Sequence, residues 1–173
     1  MTEPIATFEK VSFEQFMYDY CKIHPEMTSH NEDLIREIWQ DIKLPTRATT
    51  GSAGYDFYLP TATLFKQEPT VLPTGIRCRM KEGWVLMLFP RSGLGFKYGM
   101  ALRNTVGVID SDYFNADNEG HIQASIQVQK DLYLVCGDRF MQGIFLPYGL
   151  ASNGNLGGER FGGFGSTDGV NVG

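Results

Sequence analysis

The sequence predicts an all-β domain, a sandwich or barrel of many short strands, preceded by a short helical segment. Three observations carry this. From Thr46 onward the apolar residues recur with a period of two or in short unbroken runs. Gly, Pro, Asn and Asp punctuate those runs, as turns require. Between residues 8 and 44 the period is helical instead. At 173 residues the chain is one domain by size, long enough to bury a substantial core.

In chain order, Ser12-Phe13-Glu14-Gln15 fits a capping box, and Phe13, Phe16, Met17 and Tyr20 follow at helical spacing until His24-Pro25 breaks the segment. Ser29 with Glu32 repeats the cap. Leu34, Ile35, Ile38, Trp39 and Ile42 then mark one face of a second helix, stopped by Pro45. Residues 1–44 are therefore expected to pack as a helical segment on a β domain at 45–148. Within that domain Tyr55-Asp56-Phe57-Tyr58-Leu59 alternates and ends at Pro60, and 71–80 reads as two short strands around Pro73-Thr74-Gly75. Residues 84–89 form a continuous apolar strand. Ile122, Ala124, Ile126 and Val128 alternate with Gln123, Ser125, Gln127 and Gln129, and runs at 132–135 and 140–146 complete the set. Residues 149–173 are rich in Gly and Asn and poor in large apolar side chains, so a flexible tail is expected.

The formal net charge of -5 argues against a nucleic-acid or membrane surface as main partner. It leaves room for an anionic small substrate held by a few local arginines under a metal ion. Cys21, Cys78 and Cys136 lie far apart, and the three histidines show no ligand spacing, so neither a zinc site nor a disulfide framework is expected. No apolar run is long enough to span a bilayer and no charged-then-apolar leader opens the chain. The expectation is a cytoplasmic protein of a reducing compartment.

Residues 91–114 read as a site. Pro90-Arg91-Ser92-Gly93 brings a guanidinium, a hydroxyl and an unobstructed amide together, a turn that can hold a phosphate. Val106 to Tyr113 is an apolar run with a glycine, ending in Asp110, Asp112 and an aromatic ring. It suits a tight hairpin whose bare backbone edge faces a ligand. Asp110, held at the hairpin's end, suits a base, and Tyr113 suits a sugar. In the tail, Arg160, Phe164, Gly165, Ser166 and Thr167 could fold over a bound nucleotide.

Five pieces in order carry a resemblance: Ala53-Gly54-Tyr55-Asp56; Pro90 to Leu94; Asn104-x-x-Gly107-x-Ile109-Asp110-x-Asp112-Tyr113; Gly137-Asp138-Arg139-x-x-Gln142; and Arg160 to Thr167. Together, over about three quarters of the chain, they resemble the homotrimeric dUTP diphosphatases (dUTPases). The helical N-terminal segment and the Tyr-Asp-Phe-Tyr wording look like the variants of Gram-positive bacteria and their phages. The resemblance implies a distorted jelly-roll-type β-barrel and a homotrimer with sites shared between subunits, one subunit's tail closing over a pocket of the other two.

It also implies hydrolysis of dUTP to dUMP and pyrophosphate by water attacking the α-phosphate, limiting uracil in DNA and supplying dUMP for dTMP synthesis. By the resemblance Asp110 would orient and deprotonate the water. Arg91, Ser92 and Gly93 would hold the phosphate chain, and Gln142 would sit near the α-phosphate or the water. Mg²⁺ would ride on phosphate oxygens and waters, with Asp56 either touching it through a water or serving as a structural acid. Asn104 and the backbone of Gly107, Val108 and Ile109 would pair with uracil, leaving buried groups unpaired against cytosine. Tyr113 would lie on the deoxyribose and Phe164 on the base, with Arg160, Ser166 and Thr167 on the outer phosphates.

Three departures stand out: the longer segment 114–119, Arg160 one residue closer to Phe164 than in many relatives, and Asp168 where a glycine is common. Two competing readings remain. One is deamination of dCTP on the same fold, against which Arg91-Ser92-Gly93-Leu94 and Asp110-x-x-Tyr113 speak. The other is a phage-type regulatory protein that binds a repressor, docking on the N-terminal segment or on 114–119.

Overall fold

A computed structural model describes residues 3–153. The chain opens with strand β1 (Ala6–Lys10), then helices α1 (Phe13–Ile23) and α2 (Glu32–Asp41). There follow β2 (Thr46–Arg47), β3 (Tyr55–Tyr58), β4 (Thr63–Phe65), β5 (Thr70–Pro73), β6 (Ile76–Met80) and β7 (Trp84–Pro90). A short helix α3 (Ser92–Tyr98) leads to β8 (Ala101–Leu102), β9 (Gly107–Ile109), β10 (Gln123–Gln127), β11 (Leu132–Leu134) and β12 (Arg139–Pro147). Single 3-10 turns lie at Ser29–Asn31 and Ser111–Asn115. The result is a mainly β architecture of jelly-roll type.

Five strands in the order β2-β3-β12-β7-β9 form the largest sheet, with β5-β10-β8, β1-β6 and β11-β4 beside it. Among the described residues these ladders do not run round into one closed barrel. Each pairing is antiparallel, so alternate side chains point inward. Ala124 and Ile126 of β10 are buried while Gln127 is exposed, as the period of two predicts. Phe57, Phe65, Leu86, Ile122, Ile126 and Phe140 form the centre of the core.

The N-terminal segment differs from its sequence reading in two ways. Ala6–Lys10 forms β1, where helix begins only afterwards, and it pairs with β6 from Ala6 opposite Met80 to Lys10 opposite Ile76. Asn31, not Ser29, stands at the cap position of α2, without a side-chain cap bond, and its Oδ1 accepts from the Thr28 amide. The cap at Ser12 is made, its Oγ accepting from the Gln15 amide at 3.1 Å. Phe13, Phe16 and Tyr20 enter the same core as the strands. The indole of Trp39 donates to the Val11 carbonyl at 2.9 Å, and Lys10 Nζ bonds the Trp39 and Gln40 carbonyls at α2's end. Gly75, with a left-handed φ of 71°, turns between β5 and β6 directly beneath Ile42 and Phe16, where any side chain would collide.

Candidate active site

β7 ends at Pro90, and the chain turns straight into α3, where the sequence reading had a glycine turn. Leu94 and Gly95 donate to the Arg91 carbonyl at 3.1 and 3.0 Å, so the Ser92 and Gly93 amides precede the helical ladder. Both residues are exposed. Gly99, at a left-handed φ of 64°, ends the helix.

Beside this turn lies a charged corner. Arg91 Nε is 3.3 Å from Asp56 Oδ1, and Arg139 Nη1 donates to Asp56 Oδ2 at 3.0 Å. Asp56 is 7% exposed, whereas both guanidinium groups reach solvent. Pairing within the large sheet sets Gln142 opposite both Asp56 of β3 and Phe89 of β7. Its Nε2 donates to the Pro90 carbonyl at 3.5 Å. Gly54 leaves room for that side chain, since a Cβ there would lie 2.7 Å from Gln142 Oε1. Two cations against one carboxylate leave the corner net positive, as a phosphate chain requires. Arg139 has no role in the sequence reading; its signal is its place three residues before Gln142 in one piece.

The second group lies at the turn between β8 and β9, which do not pair as the expected hairpin: β8 bonds β10 and β9 bonds β7. Thr105 at its tip takes a left-handed φ of 66°, and Val106 donates to the Asn104 carbonyl at 2.7 Å. A cavity of about 180 Å³ is lined by Leu88, Asn104, Gly107, Val108, Ile109 and Ser125, among others. Gly107 is buried, and a Cβ there would meet that of Leu88 at 3.0 Å. β9 is an edge strand bonded to β7, and among the described residues no strand pairs with its other edge. Asn104, Gly107, Val108 and Ile109 thus line one cavity.

Asp110 heads the 3-10 turn Ser111–Asn115 and borders a separate concavity with Met80, Glu82, Ser111, Asp112 and Tyr148. Tyr113 is 4% exposed; its hydroxyl donates to the His121 carbonyl at 2.9 Å and accepts from Asn118 Nδ2 at 2.9 Å. Arg160, Phe164, Gly165, Ser166 and Thr167, like Asp168, lie outside the described residues.

One distance separates the groups. Ile109 pairs with Leu86, which sets Asp110 level with Val85, while Arg91 follows the far end of the same strand. Six residues of strand rise place Asp110 ~20 Å from the Arg91–Gly93 turn. Among the described residues no three carboxylate, imidazole or thiol groups converge on a metal position. Nor, among them, is any helix long and apolar enough to cross a membrane.

The dUTPase family model matches residues 40–156. The deoxyuridine 5'-triphosphate nucleotidohydrolase of Lactococcus lactis subsp. lactis is 40% identical over 133 residues, covering 73% of this chain and 88% of that one. The dUTPase from Streptococcus mutans superposes with a TM-score of 0.61 at 34% identity, covering 83% of this chain and 97% of that one. The dUTPase of phage phi11 of S. aureus shares the fold at 19% identity, with a TM-score of 0.55 over 66% of this chain and 89% of its own. That phage protein coordinates a structural Mg(II) ion.

Proposed function

The chain belongs to the dUTPase family and is a dUTP diphosphatase, hydrolysing dUTP to dUMP, and from that premise we propose how its residues divide the work. Each site is assembled from more than one copy of the chain, as a homotrimer would provide. The observation that carries this is the ~20 Å between Asp110 and Arg91, several times the hydrogen-bond reach that a base and its phosphate-holding partners must share. An Asp110 from one copy meets the Arg91–Gly93 turn of another.

In such a site uracil enters the cavity beside β9 and bonds Asn104 and the bare edge of Val108. Cytosine offers a donor where uracil has an acceptor, so buried groups would go unpaired. Arg91, with the hydroxyl of Ser92 and the amide of Gly93, holds the phosphates, and Arg139 joins them from the same corner. Asp110 orients a water and takes its proton as the oxygen attacks the α-phosphorus. The bond to the bridging oxygen breaks and pyrophosphate leaves. A carboxylate is a weak base, so positioning and charge neutralisation supply most of the acceleration. Gln142 steadies the water or the α-phosphate, and Tyr113 backs the deoxyribose from its buried position. The tail residues Arg160, Phe164, Gly165, Ser166 and Thr167 close over the nucleotide from a further copy.

The donor set fits Mg²⁺ held mostly by phosphate oxygens and water. Asp56, the carboxylate beside the turn, already bonds two guanidinium groups and would reach the ion only through a water. When bound, the ion neutralises phosphate charge. We place the enzyme in the cytoplasm. Capture of a repressor-type protein is the lesser reading. Within segment 114–119, Phe114 and Ala116 pack inward, 6% and 4% exposed, while Asn115 and Asp117 face solvent.

Mixing subunits tests the shared site. Asp110→Asn and Arg91→Ala proteins, each inactive alone, are co-refolded and assayed for pyrophosphate release from dUTP, with dCTP, dTTP and UTP as controls. Random assortment restores an intact Asp110 facing an intact Arg91 in roughly a quarter of sites. No recovery in the mixture overturns the division between copies.

A further inference from the structure

Segment 114–121, which departs from shorter relatives in sequence, fastens helix α1 to the turn that carries Asp110. Ser12 donates to Glu119 twice, from its amide to Oε2 at 2.8 Å and from its hydroxyl to Oε1 at 2.6 Å. In a capping box the residue three positions on would return the bond to the Ser12 amide. Here Gln15 turns to Asp19 instead, donating at 2.7 Å, and a carboxylate from 107 residues away completes the cap. Glu119 holds a left-handed φ of 57°, which a residue with a Cβ rarely adopts, and Gly120 follows at 71°. A Cβ on Gly120 would lie 2.6 Å from the Tyr113 carbonyl oxygen.

A second fastening lies deeper. His121 is 0% exposed, and its Nδ1 is 2.6 Å from Asp19 Oδ2 on α1. The Gly75 amide donates to His121 Nε2 at 2.8 Å. An amide only donates, so Nε2 accepts and Nδ1 carries the proton given to Asp19.

Both fastenings reach the 3-10 turn. From Glu119 the path runs to Arg77 at 3.4 Å, whose guanidinium carbon lies 3.5 Å from the ring centre of Phe114. From His121 it runs through the carbonyl that accepts the Tyr113 hydroxyl. The Tyr113 amide in turn donates to the Asp110 carbonyl at 3.2 Å.

We propose that Glu119 on Ser12 and His121 on Asp19 together form a clasp that positions Asp110 for the reaction, with Ser12, Asp19, Glu119 and His121 as positioning residues. The proposal rests on the reading of Asp110 as the base. Ser12 and Glu119 do not line the cavity beside β9, whereas Asp19 also bonds Gln123, which does, so it is loosening at Ser12 that moves Asp110 without touching the groups that bind uracil. A role in stability alone would lower the melting temperature and leave turnover intact at temperatures where the variant is folded.

The test is steady-state kinetics on the full chain, at a temperature where circular dichroism shows each variant folded. Ser12→Ala and Asp19→Asn are expected to lower kcat about tenfold while KM for dUTP moves by no more than roughly twofold. Ser12→Thr, which keeps the hydroxyl, is expected to return kcat to within about twofold of the parent. Should Asp19→Asn fail to fold, the two Ser12 variants decide. Parent-like kcat in Ser12→Ala, beside an inactive Asp110→Asn control, overturns the clasp alone. An Asp110→Asn control that turns over like the parent overturns the base assignment and the clasp with it. Equal losses in kcat/KM through KM alone also overturn it, because the cavity would then be what moved.

Discussion

Asp56 acts through its neighbours: it is a nearly buried anion whose two oxygens fix Arg91 and Arg139 side by side. A charge so paired is best understood as setting the direction of two cations. Asp110 stands differently, at the head of a turn and bordering a wide concavity. The Asp110→Asn enzyme is expected to lose nearly all turnover, on the order of a thousandfold or more, while binding a non-hydrolysable dUTP analogue as the parent does. Calorimetric titration beside pyrophosphate release checks this, and a matching loss of affinity would mean the residue binds. That Asn104, Gly107 and Val108 share one cavity was legible in sequence, because so short a stretch keeps them neighbours, whereas Asp110 borders another concavity. Arg139 beside Asp56 was not legible, since 83 residues separate that pair and only the β3–β12 register joins them.

Elements with a strong period were equally legible. β10 shows its burial in its wording, and α1 shows its cap and its apolar face. β1 was missed although Ala6-Thr7-Phe8-Glu9 alternates, because the run is short and adjoins the helical spacing that begins at Phe13; its partner is β6. α3 was hidden by glycines at 93, 95 and 99, which read as loop. The α1 clasp also gives an element its own pH response. Burial works to raise the Asp19 carboxyl, but hydrogen bonds from His121 and Gln15 outweigh it and hold it below the usual range. Burial likewise works to raise Glu119, and the Ser12 hydroxyl and amide with Arg77 outweigh it. Both folded values lie under the unfolded ones. Their stabilisation is therefore complete above the ordinary carboxylate range, about pH 4.5, and is lost as pH falls through the lowered values. Urea midpoints measured at stepwise lower pH should show the parent losing stability more steeply than Asp19→Asn; parallel curves would remove Asp19 from the acid response.

At the scale of the molecule, one chain carries every part of the described machinery and yet keeps the parts apart. The seven-residue β7 keeps the Arg91 end and the Asp110 end at opposite limits of a ladder, bonded on one side to β12 and on the other to β9. No loop motion within a chain closes such a gap without tearing those ladders. On the proposed division of the site between copies, association would be a condition of the chemistry. The long strand follows from sequence, Trp84 to Phe89 being apolar throughout, but the partner it implies lies in no local pattern.

That stretched spacing has a consequence for dosage. Specific activity should collapse on dilution once subunits part, and recover on reconcentration, so a progress curve begun from nanomolar stock would show a lag. A rate strictly proportional to enzyme down to the lowest measurable amount would require associations too tight to sample. In a cell, synthesis of this chain would then raise activity more than in proportion, leaving low expression nearly silent.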